Sequence, residues 1–394
     1  MNFQWLQLVA LTLTHLGVDM MGGMIPAILP VIRENYGLSL SAAFTMLAVL
    51  NLSANGVQLA TGHLRASSRQ PFFLILGLCL TTALCVFGLL PRGSYTFPLL
   101  LLLMAIGGSG IAMAHPEGLR AVHSLDRLPP SITTVLFMMG GNLGFAGGGW
   151  LSAILAGRWG LSGLLLLLFI QPLCLIAMRL LRIRLSVEDK QPEDELPADE
   201  EHRPSGIPFT RLMLLSIPVA TATALLTGYL PTHLHELGFP IAFGGFSALV
   251  FGASGVAGSI IWGIFARSRG EYSAVRACLL TGIPFLGAYL FTMQHRPALL
   301  LLAGAGFCLM AAFPLIVSIA RYASGCNLGR RMALIVGGSW GAASIIMMLT
   351  GAAADIIGVR LILLMTLVVY AAAAGLLVLM SPVKTSRTVR TAIR

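Results

Sequence analysis

Long apolar runs separated by short polar breaks are the dominant pattern along the chain. A helix that crosses a bilayer needs about 20 mostly apolar residues, and twelve runs meet that requirement. The predicted spans are 5–32, 41–62, 72–90, 97–118, 131–156, 161–181, 209–234, 242–265, 275–293, 297–320, 332–354 and 359–381. The pattern therefore predicts an all-α membrane protein with twelve transmembrane helices.

One connection differs from the others in length and charge. Residues 182–207 hold eight of the fifteen acidic residues of the chain. A segment so polar cannot pack against apolar helices, so it predicts a flexible, solvated linker. We expect three parts: a six-helix bundle at 1–181, an acidic cytoplasmic linker at 182–207, and a second six-helix bundle with a basic cytoplasmic tail at 208–394.

The two predicted bundles carry matching glycines and prolines, which indicates an internal repeat. The matched residues are Pro30 with Pro231, Gly37 with Gly238, Gly62 with Gly263, Pro116 with Pro314, and Gly140, Gly141 and Gly144 with Gly337, Gly338 and Gly341. Glycines let membrane helices approach closely, so packing is their predicted role. Two parallel six-span repeats resemble the major facilitator architecture, in which a substrate binds between bundles that open alternately to each side.

The composition agrees with this picture. Hydrophobic residues make up 57% of the chain, charged residues 10%, and the mean hydropathy is +0.87, whereas soluble domains contain about 25% charged residues. The net charge of +10 reflects membrane orientation here, and we expect no nucleic-acid partner. With a cytoplasmic N-terminus, 20 of the 25 lysines and arginines lie on the inner side, as in most membrane proteins. We predict a multi-pass protein of the bacterial inner membrane with both termini in the cytoplasm.

An acidic residue lies deep inside the first predicted span. Asp19 is about halfway along that span, and His15 lies one turn earlier on the same helix face. Their counterparts in the second repeat are Ala220 and Ser216. Ionisable groups inside a membrane indicate function, and burial favours the protonated carboxyl. We predict that Asp19 and His15 carry proton coupling; a structural, hydrogen-bonded pair is the alternative.

Uncharged polar residues inside other spans are candidates for the substrate site. Asn51, Asn55 and Gln58 are spaced i, i+4, i+7 and form one polar stripe, and Asn142 lies among glycines in the fifth span. Cavity lining and hydrogen bonding between helices both explain such residues. The candidate substrate-binding residues are Asn51, Asn55, Gln58, His115, Glu117, Asn142, Tyr229 and Trp340.

A compact polar motif, His115-Pro116-Glu117, closes the fourth predicted span. The proline is expected to break the helix and release backbone carbonyls, and Glu117 is placed to pair with Arg120 three residues later. The motif is either a capping and anchoring cluster or a cytoplasmic gate that contacts an anion. The candidate gating residues are Arg65, Arg69 and Arg120.

Three segments together resemble the fosmidomycin resistance family of the major facilitator superfamily. They are THLGVDMMGGMIPAILP at 14–30, MAHPEGLR at 113–120 and FMMGGNLG at 137–144, within a similar stretch at roughly 10–150. The resemblance implies a proton-driven exporter, with a small phosphonate antibiotic as the drug in the family's name. The loop TGHLRASSRQP lacks the acidic residue usual in the superfamily, and the fifth span lacks the Gly-Pro pair of antiporters.

These observations predict a proton-coupled secondary transporter that exports a small anionic or amphipathic compound by alternating access. A proton symporter that imports a small metabolite is the alternative, and an integral membrane enzyme is a third hypothesis. A primary pump is excluded by the lack of a Gly-x4-Gly-Lys-Ser/Thr phosphate loop. We expect a monomer in the lipid bilayer whose partners are its substrate and protons, without a cofactor or a metal.

Overall fold

The computed structural model describes residues 3–61, 68–186, 207–323 and 328–380. Secondary structure in these residues is helical. The first set of helices is α1 (Phe3–Tyr36), α2 (Leu40–Thr61), α3 (Phe72–Thr81), α4 (Thr96–His123), α5 (Pro130–Trp159) and α6 (Ile170–Leu180). The second set is α7 (Phe209–Glu236), α8 (Ile241–Arg269), α9 (Glu271–Thr292), α10 (Leu299–Ala320), α11 (Leu328–Ala333), α12 (Ser339–Ile357) and α13 (Val359–Leu379).

The length and apolar character of these helices identify a multi-pass membrane protein. Ten stretches within the described residues are long and apolar enough to cross a membrane, and Phe72–Cys85 is a shorter apolar one. Helices α11 and α12 are joined by a π-helical turn, Leu334–Gly338, and form one of these stretches. The all-α membrane fold predicted from the sequence is therefore confirmed, while most of the predicted linker lies outside the described residues.

Two predicted spans are not continuous α-helices. In the span predicted at 72–90, α3 ends at Thr81 and 3₁₀ turns follow at Thr82–Cys85 and Phe87–Leu89. The span predicted at 161–181 begins with a 3₁₀ helix, Gly160–Phe169, before α6. A 3₁₀ helix rises about 2.0 Å per residue and an α-helix about 1.5 Å. These segments therefore cross more of the bilayer per residue than an α-helix would.

The predicted helix break at Pro116 is also corrected. Helix α4 runs through this proline from Thr96 to His123. A proline removes a single backbone hydrogen bond, and the turns on both sides keep their helical conformation. His115 and Glu117 are therefore fixed on one continuous helix, not on a broken end.

The predicted repeat is visible at the ends of α1 and α7. Gly37 has φ +64° and Gly238 has φ +85°, a left-handed conformation that favours glycine. The amide of Leu38 donates to the carbonyl of Arg33 at 3.0 Å, and the equivalent bond in α7 closes the same kind of turn at 3.1 Å. The matched glycines thus terminate equivalent helices in the two halves.

Close glycine contacts join α5 to α1. Gly140, Gly144 and Gly148 lie along one face of α5, and a Cβ atom at any of them would overlap backbone atoms of α1. The facing residues on α1 are Thr12, Leu16 and Met20. The packing role predicted for the glycines of the fifth span is confirmed at Gly140 and Gly144, and the contact brings α5 directly against the helix that carries His15 and Asp19.

The two sets of helices contact each other at the predicted outer end. The rings of Phe44 on α2 and Tyr229 on α7 stack with centroids 3.5 Å apart. The carboxylate of Asp355 on α12 accepts hydrogen bonds from the amides of Leu40 and Ser41, at 2.8 and 2.9 Å. These two amides begin α2, so a residue of one half caps a helix of the other half.

The same helix faces become polar or open towards the predicted inner end. Contacts between the halves include Phe44 on α2, Ala153 on α5, Gly252 on α8 and Gly351 on α12. On each of these helices, the residue eleven positions closer to the predicted inner end lies on the same face, about 16 Å away. These residues are Asn55, Asn142, Gly263 and Trp340. Asn142 is exposed, and a Cβ at Gly263 would have no neighbour within 4 Å. The described contacts between the halves thus lie towards the outer end, and we infer a cavity between the halves that opens towards the inner end.

Candidate functional site

The candidate site is an aspartate placed between two histidines. Asp19 Oδ2 lies 3.3 Å from His15 Nε2, and Asp19 Oδ1 lies 3.1 Å from His115 Nε2. His15 and Asp19 are one turn apart on α1, and His115 comes from α4. The side chain of His15 is 4% exposed, whereas those of Asp19 and His115 are 18% and 25% exposed. The cluster is therefore enclosed on one side and accessible through His115 and Asp19.

Backbone carbonyls fix the orientation of both imidazole rings. His15 Nδ1 lies 2.8 Å from the carbonyl oxygen of Phe137, and His115 Nδ1 lies 2.7 Å from that of Ile111. A carbonyl oxygen only accepts hydrogen bonds, so each Nδ1 atom carries the hydrogen and donates. The Nε2 atom of each neutral ring then bears a lone pair that points at Asp19.

This arrangement requires a shared proton. With both rings neutral and Asp19 ionised, two ring lone pairs face carboxylate oxygens, and no hydrogen bond forms. One added proton, on a ring or on the carboxyl, makes the cluster neutral and satisfies one contact. A second proton satisfies both contacts and leaves a single positive charge. The cluster can thus hold protons in steps, which is the chemistry that proton coupling needs.

Helix α5 completes the cluster with two residues that the sequence did not single out for this role. The ring of Phe137 stacks on His15 with centroids 4.1 Å apart. A Cβ atom at Gly141 would lie 2.5 Å from both His15 Nε2 and Asp19 Oδ2, closer than real side chains approach. Gly141 therefore provides the space for the cluster. The signal in the sequence was the spacing of four between Phe137 and Gly141, which places both on one helix face.

A cation is the other occupant that such a cluster admits. The three ligand atoms of His15, Asp19 and His115 lie within 4.8 Å of one another. The 3.1 Å separation of His115 Nε2 from Asp19 Oδ1 is a direct hydrogen-bond distance, whereas His15 Nε2, 3.3 Å from Asp19 Oδ2, makes no hydrogen bond within the described residues. A shared proton therefore satisfies the contact between His115 and Asp19 without an ion.

The predicted polar stripe on α2 faces the other half of the molecule. Asn51 and Asn55 follow Phe44 by seven and eleven residues, so they continue the face that contacts α7 at the outer end. Asn51, Asn55 and Gln58 are half-buried, and the side chain of Asn55 donates to the carbonyl of Asn51 at 2.8 Å. The stripe thus faces the other half, and cavity lining and hydrogen bonding between helices both stay predictions for it.

Asn142 and Trp340 approach the cavity from two other helices. Asn142 is exposed, and it directly follows Gly141, which touches the cluster. Trp340 is half-buried, and its ring packs edge-on against Phe313 with centroids 5.6 Å apart. Asn142 and Trp340 therefore lie at the same depth in the membrane as Asn55. All three are on the helix faces along which the two halves diverge towards the inner end.

Two predicted substrate-binding residues do not lie in the cavity. Glu117 is 2% exposed, and its Oε2 accepts a hydrogen bond from the amide of Leu74 at 2.8 Å, in the first turn of α3. The prediction that it contacts substrate is corrected, because its carboxylate caps a helix. Tyr229 is fully buried in the contact between halves, and its hydroxyl donates to Thr350 at 3.1 Å. It closes the outer end and does not line the site.

The predicted gating arginines occupy different environments. Arg65 lies outside the described residues. Arg69 is exposed at the inner end of the first half. Arg120 is 7% exposed and its guanidinium donates to the carbonyls of Ser68 and Ser186, at 2.9 and 2.7 Å. Arg120 thus joins two connecting segments at the inner end, which is a structural contact at the place where a gate was predicted.

Comparisons with known proteins agree with the fold. A sequence model of the Major Facilitator Superfamily matches residues 11–324. The fosmidomycin resistance protein of Escherichia coli (strain K12) is 28% identical over 151 residues, 38% of this chain and 36% of that protein. The matched stretch thus spans about a third of the relative.

Solved transporter structures resemble the whole chain. A bacterial homologue of the human lysosomal transporter Spinster, inward-facing and unoccupied, has a TM-score of 0.76 at 15% identity, covering 96% of this chain and 97% of its own. The nucleoside transporter NupG has a TM-score of 0.72 at 12% identity, covering 98% and 100%. An inward-facing bacterial homologue of the iron transporter ferroportin has a TM-score of 0.70 at 14% identity, covering 96% and 98%. At such identities the likeness concerns the fold alone.

Proposed function

Because the chain belongs to the Major Facilitator Superfamily, it is a membrane transporter and not an enzyme, and we propose that it couples transport to protons. Specifically, we propose a secondary active exporter of a small anionic or amphipathic compound that works by alternating access. The observation that carries the proposal is the position of Asp19 between His15 and His115. Such a cluster inside a membrane-spanning bundle holds protons and faces the cavity.

The proposed cycle uses the step-wise protonation of the cluster. A proton enters from the outer side when that end is open, and it leaves when the cavity faces inwards. Export needs the substrate and the proton to occupy the transporter alternately, so protonation of the cluster from the outer side favours release of the substrate there. His115 passes the proton because its ring is the more exposed of the two, and His15 holds the carboxylate in position.

The proposed substrate class rests on two observations. Asn51, Asn55, Gln58, Asn142 and Trp340 offer uncharged donors and acceptors on the faces that separate towards the inner end. The similar Escherichia coli protein is a fosmidomycin resistance protein, and resistance by a transporter implies removal of the compound from the cell. Together they favour a small polar compound as cargo and export as the direction.

We also propose the organisation around this site. The bundles 1–181 and 208–394 move as units on a cytoplasmic linker at 182–207, with both termini in the cytoplasm of a bacterium. The support is the excess of basic residues on the predicted inner side and the contacts between halves at the opposite end. We propose a single chain as the working unit, since both halves of the cavity come from one chain.

The decisive experiment compares two transport modes in proteoliposomes that contain Asp19→Asn. The amide resembles the protonated acid in shape and charge, so the variant should insert normally. Accumulation of a compound driven by an imposed pH gradient should disappear, whereas exchange without a gradient should continue, because exchange moves no net proton. Glu236→Gln is the matched control, since Glu236 also contacts a histidine, His233 at 3.3 Å, but at the outer end.

Three results would contradict the proposal. Full gradient-driven accumulation by Asp19→Asn would assign the cluster a structural role. Loss of exchange as well would make Asp19 a direct substrate contact without a separate coupling role. Accumulation by the unmodified chain that stops with a metal chelator would indicate that a cation, not a proton, occupies the cluster. Reversing the gradient in the same assay distinguishes export from import.

A further inference from the structure

A cleft rich in arginine lies at the predicted inner end of the first half, away from the His15–Asp19–His115 cluster. Its volume is about 700 Å³, and it is formed by the start of α1, the α4–α5 connection and the segment after α6. Its arginines are Arg69, Arg127, Arg182 and Arg184. Asp126 is the one acidic residue among the described residues that line it. The cleft therefore carries a positive charge that a single carboxylate does not balance.

The single carboxylate is already engaged. Gln4 Nε2 donates to Asp126 Oδ1 at 2.6 Å, while Gln4 Oε1 accepts from the amide of Arg127 at 2.8 Å. Within the described part of the chain, the four guanidinium groups form no ion pair and donate no side-chain hydrogen bond. Their donors are thus available to an anion that enters the cleft.

Hydrogen bonds hold the cleft in shape. The amide of Leu185 donates to the carbonyl of Arg69 at 2.9 Å, and the hydroxyl of Ser124 donates to the carbonyl of Arg184 at 3.0 Å. These bonds join the segment after α6 to the connections before α3 and after α4. The arginines are therefore carried by a fixed backbone and not by independent loops.

Arg182 occupies a position at which glycine is the favoured residue. It follows the end of α6 at Leu180 and has φ +50°, a left-handed conformation that side chains with a Cβ rarely adopt. A strained backbone residue beside a cleft is an observation from which a function can be inferred. In this backbone conformation Arg182 lines the cleft.

Apolar surface continues from the cleft into the membrane region. Phe72 and Ile75 on α3 are 48% and 44% exposed, and Ile176 and Leu180 on α6 are 55% and 74% exposed. A second cleft of about 440 Å³ between the ends of these helices shares the arginines at 69, 182 and 184. Charged donors at the end of an apolar surface match a molecule with an anionic head and apolar tails.

We propose that this cleft binds an anionic phospholipid of the inner leaflet. Arg69, Arg182 and Arg184 contact the phosphate, since guanidinium groups bind phosphate through paired, charge-assisted hydrogen bonds. The acyl chains lie along the exposed faces of α3 and α6. The site stabilises the first half at the membrane surface, and it is independent of proton coupling.

The test measures the thermal stability of the purified full chain in detergent with added lipid. Phosphatidylglycerol should raise Tm by about 3 °C or more, since a ligand that binds the folded state stabilises it, and phosphatidylcholine should not. Arg182→Gly should keep or raise the Tm without lipid, because glycine relieves the strain, yet weaken the response to phosphatidylglycerol about tenfold in lipid concentration. Arg69→Gln/Arg184→Gln should abolish the response, and Arg267→Gln, an exposed arginine outside the cleft, should not change it.

Each of the opposite outcomes overturns the proposal. Equal stabilisation by phosphatidylcholine would show that the cleft does not recognise the anionic head group. An equal response to inorganic phosphate alone would make the site one for a soluble anion. An unchanged response in the arginine variants would place the lipid elsewhere. A response that appears only after the acids at 188–201 are neutralised would make the linker the occupant.

Discussion

A histidine whose Nδ1 atom donates to a backbone carbonyl has a fixed tautomer. Both rings beside Asp19 are held in this way, by the carbonyls of Phe137 and Ile111. A proton can therefore pass between the two Nε2 atoms and the carboxylate without either ring turning over. At the scale of single residues, the two carbonyls thus keep the Nε2 atoms of His15 and His115 directed at one acid.

The space for this cluster depends on Gly141, so a single methyl group is a sensitive test. In Gly141→Ala the new Cβ would lie 2.5 Å from His15 Nε2 and Asp19 Oδ2, which forces the groups apart. Gradient-driven transport should fall about tenfold or more, since displacements of about 1 Å can have such effects on reacting groups. The measurement is uptake into proteoliposomes under a pH gradient, corrected for the amount of inserted protein.

Gly147→Ala is the matched control on the same helix. A Cβ at Gly147 has no neighbour within 4 Å, so this variant should transport like the unmodified chain. If both alanine variants behave alike, the contacts of Gly141 have no bearing on the cluster.

The sequence predicts part of this cluster and not the rest. His15 and Asp19 share a helix face, so their spacing alone predicts that they meet. His115 belongs to another helix, and its contact with Asp19 depends on how α4 packs against α1. A single sequence contains no information on that packing, so His115 was predicted as a substrate ligand. Glu117 is predicted to bind substrate because the sequence shows its motif, His115-Pro116-Glu117. The sequence does not show that the Glu117 carboxylate accepts a hydrogen bond from the amide of Leu74.

At the scale of helices, uniformly apolar segments mark the limit of what the sequence predicts. The spans at 5–32 and 131–156 correspond closely to Phe3–Tyr36 and Pro130–Trp159, because polar residues and prolines mark their ends. The run of leucines within Gly160–Phe169 has no such variation. Apolar periodicity cannot separate 3₁₀ from α in such a run, so the 3₁₀ helices were not predicted.

Two polar residues on the separating faces test where those faces bind substrate. Asn55→Leu and Asn142→Leu keep approximate volume but remove one donor and one acceptor each. Both should lower transport at limiting substrate, by about tenfold for each lost hydrogen bond to a charged group. Uptake should be measured over a range of substrate concentrations, with thermal stability measured in parallel.

Met138→Leu is the control, because Met138 is exposed one turn before Asn142 on the same face of α5 and has no polar group to lose. Normal transport by both asparagine variants, or a loss of stability as large as the loss of transport, would reassign these residues to helix packing.

At the scale of the whole molecule, the contact between Asp355 and the start of α2 closes the outer end. Asp355→Ala removes both acceptors, and the loss of such a cap costs about 0.5–2 kcal/mol. This change should move the equilibrium towards the outward-open state by a factor of about 2 to 30. Distances between spin labels at Tyr95 and Leu237, which are both exposed, report the opening.

Glu34→Gln provides the comparison for Asp355→Ala. Glu34 also crosses between the halves, to His235 at 2.8 Å, but both side chains are solvent-accessible, and such pairs contribute about 0–1 kcal/mol. We expect little change in the label distances. An equal shift in both variants would mean that charge at the outer end, rather than the helix cap, sets the equilibrium.

The placement of the proton-binding cluster in one half has a consequence for evolution. Among the described residues, its acid, both imidazoles, the orienting carbonyls and the accommodating glycine all come from α1, α4 and α5. The proposed energy-transducing chemistry is thus a self-contained module. The sequences of the helices of the other half are free to diverge as long as their contacts with the first half at the outer end persist. Such divergence changes which cargo is bound. Lineages built on this plan can acquire new cargoes while inheriting one proton mechanism unchanged.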